Sequence, residues 1–179
     1  MIPQRPYIFV SLGTMDMPFE RMAKAVDRLA EHLSEDVIVQ TGWTNYAYQH
    51  VKKCFSMCTR DEMHDYIHGA ELLIMQGGWG AISEAMDMHK RMVVVPRFNE
   101  TEHIHDQFQL VRKLDEIGVV VGVLPTSADV DETFRELQKA VGKARTHTFK
   151  QIEKGSSVAA IRSAIDEMKC GKRICLASS

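Results

Sequence analysis

Three glycines within four residues, Gly77, Gly78 and Gly80, follow the apolar run "LLIM" and precede a carboxylate at Glu84. Successive glycines after a strand leave backbone that a pyrophosphate can approach, and a helix starting there offers free N–H groups and positive dipole. A tight strand-to-helix turn that needs glycine on steric grounds alone has the same pattern. Neither familiar nucleotide fingerprint fits. G-x-G-x-x-G would require glycine where Ser83 stands, and no Gly-Lys-Ser/Thr follows as in a P-loop. Glu84 has two readings: a carboxylate suited to a pair of ribose hydroxyls, or a first-turn acid complementing the helix dipole.

Two further segments could share that chemistry. "SLGTMDMPF" (11–19) is a second glycine turn after a strand, where the amides of Gly13 and Thr14 could meet a phosphate; an ordinary turn with Asp16 near a helix start is the alternative. "RFNETEHIHDQFQ" (97–109) is dense in donors and acceptors, among them His105, Asp106 and Gln107, which suits recognition of sugar hydroxyls. His103 and His105, with the helix-spaced pair His64 and His68, raise a metal site. No zinc motif such as H-E-x-x-H is present, and no metal ligands are assigned. Trp43 and Tyr46 sit in "TGWTNYAYQH" (41–50), read as a flexible polar loop that shapes a base pocket or meets a partner.

The elements that must position these groups alternate along the chain. Candidate strands are 7–12, 36–41, 53–58, 71–75, 91–96 and 119–124. Candidate helices are 18–33, 60–70 ending at Gly69, 80–89, 105–117 ending at Gly118, 129–145 and 149–169. The strands are continuously apolar rather than alternating, which predicts a parallel sheet covered on both faces: a Rossmann-like, doubly wound α/β domain. In that architecture ligands lie beyond the carboxyl ends of the strands, where strand order reverses. Each segment singled out above follows a strand.

Composition sets outer bounds. The 179 residues are 45% apolar and 26% charged, as in an ordinary globular protein. A net charge of −2 without basic runs argues against a nucleic-acid partner. No stretch reaches about 18 consecutive apolar residues, so no membrane span is expected, and the N-terminus reads as a first strand rather than a secretory signal. Cys54, Cys58, Cys170 and Cys175 form no C-x-x-C and read as reduced thiols in the cytoplasm. The methionines, Met86, Met88 and Met92 among them, read as core filler.

"IFVSLGTMDMPFERMAKAVDRL" and "GAELLIMQGGWGAISEAMDMHKRMVVVPRFNETEHIHDQFQLVRKL" together resemble the glycosyltransferase family 28 C-terminal domain, the donor-binding half of GT-B glycosyltransferases. The resemblance runs from about residue 7 to 124. It is nearest to short, single-domain members like the catalytic subunit of the dolichol-linked N-acetylglucosaminyl transferase and bacterial exopolysaccharide glycosyltransferase subunits. Gln76 stands where members often carry histidine, and Ala81 where a small hydroxyl residue is common.

The resemblance implies that Gly77, Gly78 and Gly80 hold the diphosphate of a UDP-sugar. It places Glu84 on the ribose, Gly13 and Thr14 at the phosphate side, and His105, Asp106 and Gln107 at the donor sugar. It implies a metal-independent, inverting hexosyl transfer to a lipid-linked or polysaccharide acceptor, with the UDP-sugar as substrate and no cofactor. The general base would come from a membrane-associated, acceptor-binding partner subunit, without which the chain is inactive. Residues 1–150 would form the nucleotide-sugar-binding domain. Residues 151–179 would form a helix and tail contacting that partner through Val158, Ile161 and Ile165, or packing on the core. The chain would then be cytoplasmic and peripheral at the inner membrane face. Two rivals stand beside this reading: a non-catalytic enhancer of a partner glycosyltransferase, and a dehydrogenase fragment, which would need an acid where Pro96-Arg97 ends a strand.

Overall fold

A computed structural model describes residues 6–98, 102 and 107–151. Six strands, β1 (Tyr7–Ser11), β2 (Asp36–Gln40), β3 (Lys53–Phe55), β4 (Leu72–Gln76), β5 (Met92–Val95) and β6 (Val121–Gly122), interleave with five helices. These are α1 (Glu20–Ala30), α2 (Arg60–Gly69), α3 (Trp79–Asp87), α4 (Gln107–Glu116) and α5 (Val130–Thr146). The strands form one parallel sheet in the order β3-β2-β1-β4-β5-β6. This is the expected doubly wound arrangement, with the order reversing between β1 and β4.

The apolar strands follow from burial on both faces. On β1, Ile8 and Val10 join one core with Met22, Val26 and Leu29 of α1 and Leu137 and Val141 of α5. Tyr7 and Phe9 point the other way, into a core with Ile67 of α2, Ile82 and Met86 of α3 and Val111 and Leu114 of α4. Strands β4 and β5 split the same way: Ile74 and Val93 on one side, Leu73 and Val94 on the other. Period-two geometry turns a continuous apolar run into two half-cores. Met22, Met75, Met86 and Met92 are buried within them, as expected of filler.

Helix ends agree in part with the sequence. Thr59 and Glu62 form a reciprocal capping box on α2. Gly118, at φ +79°, ends α4 in the left-handed region. Gly69 ends α2 as predicted: it is the last helical residue, followed by extended Ala70. A Cβ there would lie 2.6 Å from the Tyr7 hydroxyl, which donates to the Tyr66 carbonyl at 2.9 Å. Burial pushes that hydroxyl up to about 12.

The segment 41–50 is built rather than loose. Asp27 of α1, 3% exposed, accepts from the amides of Gln49 and His50 and from the Tyr46 hydroxyl. Tyr46 and Tyr48 pack edge to face beside it. Strands β3 and β6 are shorter than predicted. The helix expected over 149–169 lies outside the described residues from 152 onward, as do Val158, Ile161, Ile165, Cys170 and Cys175.

Candidate functional site

The two glycine turns stand side by side. β1 and β4 are hydrogen-bonded neighbours with Ser11 opposite Met75, so Gly13 and Gly77 both emerge where the strand order reverses. Ligand-binding crevices of open α/β sheets form at such switch points. Gly13 has φ +86° and Gly42, from the neighbouring β2 turn, φ +56°. A Cβ on Gly42 would overlap the Gly13 carbonyl oxygen, so these two turns touch through bare backbone.

The glycines of the β4–α3 turn serve two different ends. A Cβ at Gly77 would lie 2.6 Å from Oε1 of Gln107, and one at Gly78 would overlap Nε2 of Gln76. A Cβ at Gly13 would meet the same Gln76 side chain at 3.0 Å. Protein side chains therefore occupy the Cβ side of these three glycines. Gly80 differs: it is exposed, with nothing within 4 Å of a Cβ placed there.

α3 begins at Trp79, one residue earlier than predicted, with Gly78 as its N-cap and no side-chain cap. The amides of Trp79, Gly80 and Ala81 have no protein acceptor among the described residues. Such a terminus carries the unsatisfied donors and positive dipole that favour an anion. Starting at Trp79 puts Glu84 in the second turn, and no acid lies in the first. The reading of Glu84 as a first-turn dipole partner is therefore set aside. Its side chain is half-buried and has no protein partner among the described residues. Thr14 is exposed.

A buried polar layer supports these turns. The Ser11 hydroxyl donates to Oε1 of Gln40 at 2.8 Å, and Nε2 of Gln40 donates to the Ser56 and Gly13 carbonyls. Gln107 was expected to face the donor sugar, yet it is 5% exposed and its amide is engaged at both ends. Its Oε1 accepts from the Arg97 amide at 2.9 Å, and its Nε2 donates to Gln76 at 3.2 Å. His105 and Asp106 lie outside the described residues, as does His103. His64 and His68 are exposed and stacked on each other, and no metal-binding cluster exists among the described residues.

Sequence reasoning passed over a pair of buried guanidiniums behind the site. Arg21 of α1 pairs with Glu102 through Nε at 2.9 Å and Nη2 at 2.8 Å, and also donates to Thr133 and the Pro96 carbonyl. Arg97 is 1% exposed and donates to backbone carbonyls. Burial draws its guanidinium down to about 10, with Glu102 pulling the other way. The available signal was charge in an apolar frame: Arg97 directly follows "VVVP", and Arg21 adjoins the apolar face of α1.

Residues 7–167 match the glycosyltransferase family 28 C-terminal domain, and the chain belongs to that family. Its architecture is the Rossmann-like C-terminal half of the GT-B fold. Solved structures share it at low identity. The glycotransferase of kitacinnamycin (TM-score 0.61, 18% identity) aligns over 82% of this chain and 37% of its own. CalG4, the calicheamicin glycosyltransferase (TM-score 0.61, 18% identity), aligns over 83% and 36%. This chain thus spans little more than a third of either. The NMR structure of ALG13 (TM-score 0.55, 19% identity) aligns over 82% of this chain and 88% of its own. No curated protein matches the chain. Among the described residues no helix is long and apolar enough to cross a membrane.

Proposed function

We propose that this chain is the donor-binding subunit of a two-component glycosyltransferase. It would transfer a hexose from a UDP-sugar to a lipid-linked or polysaccharide acceptor, with a separate membrane-associated partner. One observation carries the reading: the uncapped amino end of α3, with exposed Gly80, faces the strand-order switch, and the unpartnered Glu84 carboxylate stands in its second turn. A nucleoside diphosphate has complementary parts, an anion for the amides and a vicinal diol for the carboxylate.

In this reading the amides of Trp79, Gly80 and Ala81 receive the diphosphate beside the Gly77–Gly78 turn, and Gly13 and Thr14 approach it from the β1 turn. As the sugar departs, negative charge grows on the diphosphate, and fixed helix amides stabilise it without reorganising. His105 and Asp106 are assigned to the donor sugar, while Gln107 packs against the Gly77 turn. The partner supplies the acceptor site and the general base. That partner places the chain at the cytoplasmic membrane face, and residues 151–179 are assigned to its docking.

The test uses the full chain, tagged and isolated from its native cells with whatever remains bound. Transfer from labelled UDP-sugars into lipid-extractable and polymer fractions is expected from the complex and absent from the chain alone. Glu84→Ala should abolish transfer while leaving the complex intact. An intact Glu84→Ala complex with full activity would favour the enhancer reading instead.

A further inference from the structure

Arg97 follows Pro96 at the end of β5 and is almost wholly buried. Its guanidinium donates to four backbone carbonyls: Nη2 to Leu12 at 2.9 Å, and Nη1 to Met17 at 2.8 Å, Glu102 at 3.1 Å and Pro18 at 3.4 Å. The guanidinium also lies over the Phe19 ring, 4.4 Å from its centroid. Leu12, Met17 and Pro18 bracket the turn that presents Gly13 and Thr14. Between those ends, Thr14, Met15 and Asp16 make no hydrogen bond among the described residues. One side chain therefore closes both ends of the β1 turn and ties it to the β5–α4 loop.

The same residue reaches the second glycine turn through its backbone. The Arg97 amide donates to Gln107, whose side chain packs against Gly77 and bonds Gln76. Burying a guanidinium is unfavourable unless its hydrogen bonds are well made, and Nε has no partner among the described residues. Volume alone would be filled better by an apolar side chain. The planar fork, however, can hold several carbonyls at once.

We infer that Arg97 is a positioning residue for the donor diphosphate: without facing the ligand, it sets the Gly13–Thr14 amides against the Gly77 turn. This rests on the donor-binding reading above. Affinities of the full-length protein for UDP and for uridine, measured by NMR titration, separate positioning from general support of the fold. In folded Arg97→Gln, UDP binding should weaken about tenfold or more, while uridine binding stays within about twofold. Arg97→Lys, which keeps the charge and the stem over Phe19, should fall between, and it carries the test if Arg97→Gln does not fold. Equal losses for UDP and uridine, or unchanged UDP affinity in either folded variant, would overturn the inference. If the unsubstituted protein binds no UDP, the donor reading fails by itself. The link between the turns is then read from the Leu12, Gly13 and Thr14 amide resonances: displacement in Arg97→Gln supports it, and unchanged positions refute it.

Discussion

Gln76 and Gln107 meet amide to amide: Nε2 of Gln107 donates to Oε1 of Gln76 at 3.2 Å, joining the end of β4 to the start of α4. Each also lies where a glycine side chain would be, Gln76 against Gly13 and Gly78, Gln107 against Gly77. The bareness of these turns is matched by two protein amides. An anion is left the amides at the head of α3, with Gly80 open beside them. The glycine cluster thus has a structural part and a part free for binding, divided within four residues.

Gln107→Leu should leave the Arg97 amide and the Gln76 side chain without their partners in a buried layer. Losing an acceptor for a buried donor is worth about 1–3 kcal/mol. Urea unfolding of the variant should show a loss of that order. A variant as stable as the parent would mean that water replaces the bridge.

Gly78→Ala and Gly80→Ala should behave oppositely. The first places a methyl against Gln76 and should destabilise the fold. The second adds a methyl in open space within a helix, for which the glycine-to-alanine gain is roughly 0.5–1 kcal/mol. Gly80→Ala should nevertheless weaken UDP binding if the anion seats there. Thermal melts and a UDP titration on the same samples read both effects.

The Arg21–Glu102 pair has side chains only 3% and 12% exposed. Glu102→Leu alone should cost about 3–5 kcal/mol, because it strands a buried guanidinium. The double variant Arg21→Met with Glu102→Leu should cost less than the summed single changes. Denaturant midpoints for the four proteins of the cycle check this.

Acid sensitivity has an identifiable source at the head of α5. Glu132 accepts from the hydroxyls and amides of Thr126 and Ser127, which lower its carboxyl to about 2. A carboxylate depressed in the folded state contributes stability that is present above its unfolded value and lost as pH falls towards the folded one. Between about pH 5 and pH 2, Glu132→Gln should therefore lose less stability than the parent. Urea midpoints across that window decide it, and identical slopes would contradict the assignment.

The alternation of strand and helix was legible because burial on two faces writes apolar runs directly into the chain. Its limits appear at single residues. α3 starts at Trp79 rather than Gly80, and periodicity does not resolve one residue at a helix start. The burial of Gln107 and Arg97 was not legible because their partners, Gln76 and Leu12, lie far away in sequence. The 41–50 loop looked mobile for the same reason: the carboxylate that organises it belongs to Asp27, about two turns into α1. The stop of α2 at Gly69 was legible, but not the Tyr7 hydroxyl of β1 that excludes a side chain there.

The central claim is that this domain binds a uridine diphosphate sugar at the head of α3. The most direct measurement is an NMR titration of the chain with UDP, UDP-sugars, ADP and NAD, repeated on Glu84→Ala. Uridine-selective shifts centred on Gly13, Gly78 and Gly80 are expected, and they should vanish in Glu84→Ala. Shifts that ignore the base, survive Glu84→Ala or centre elsewhere would contradict the claim.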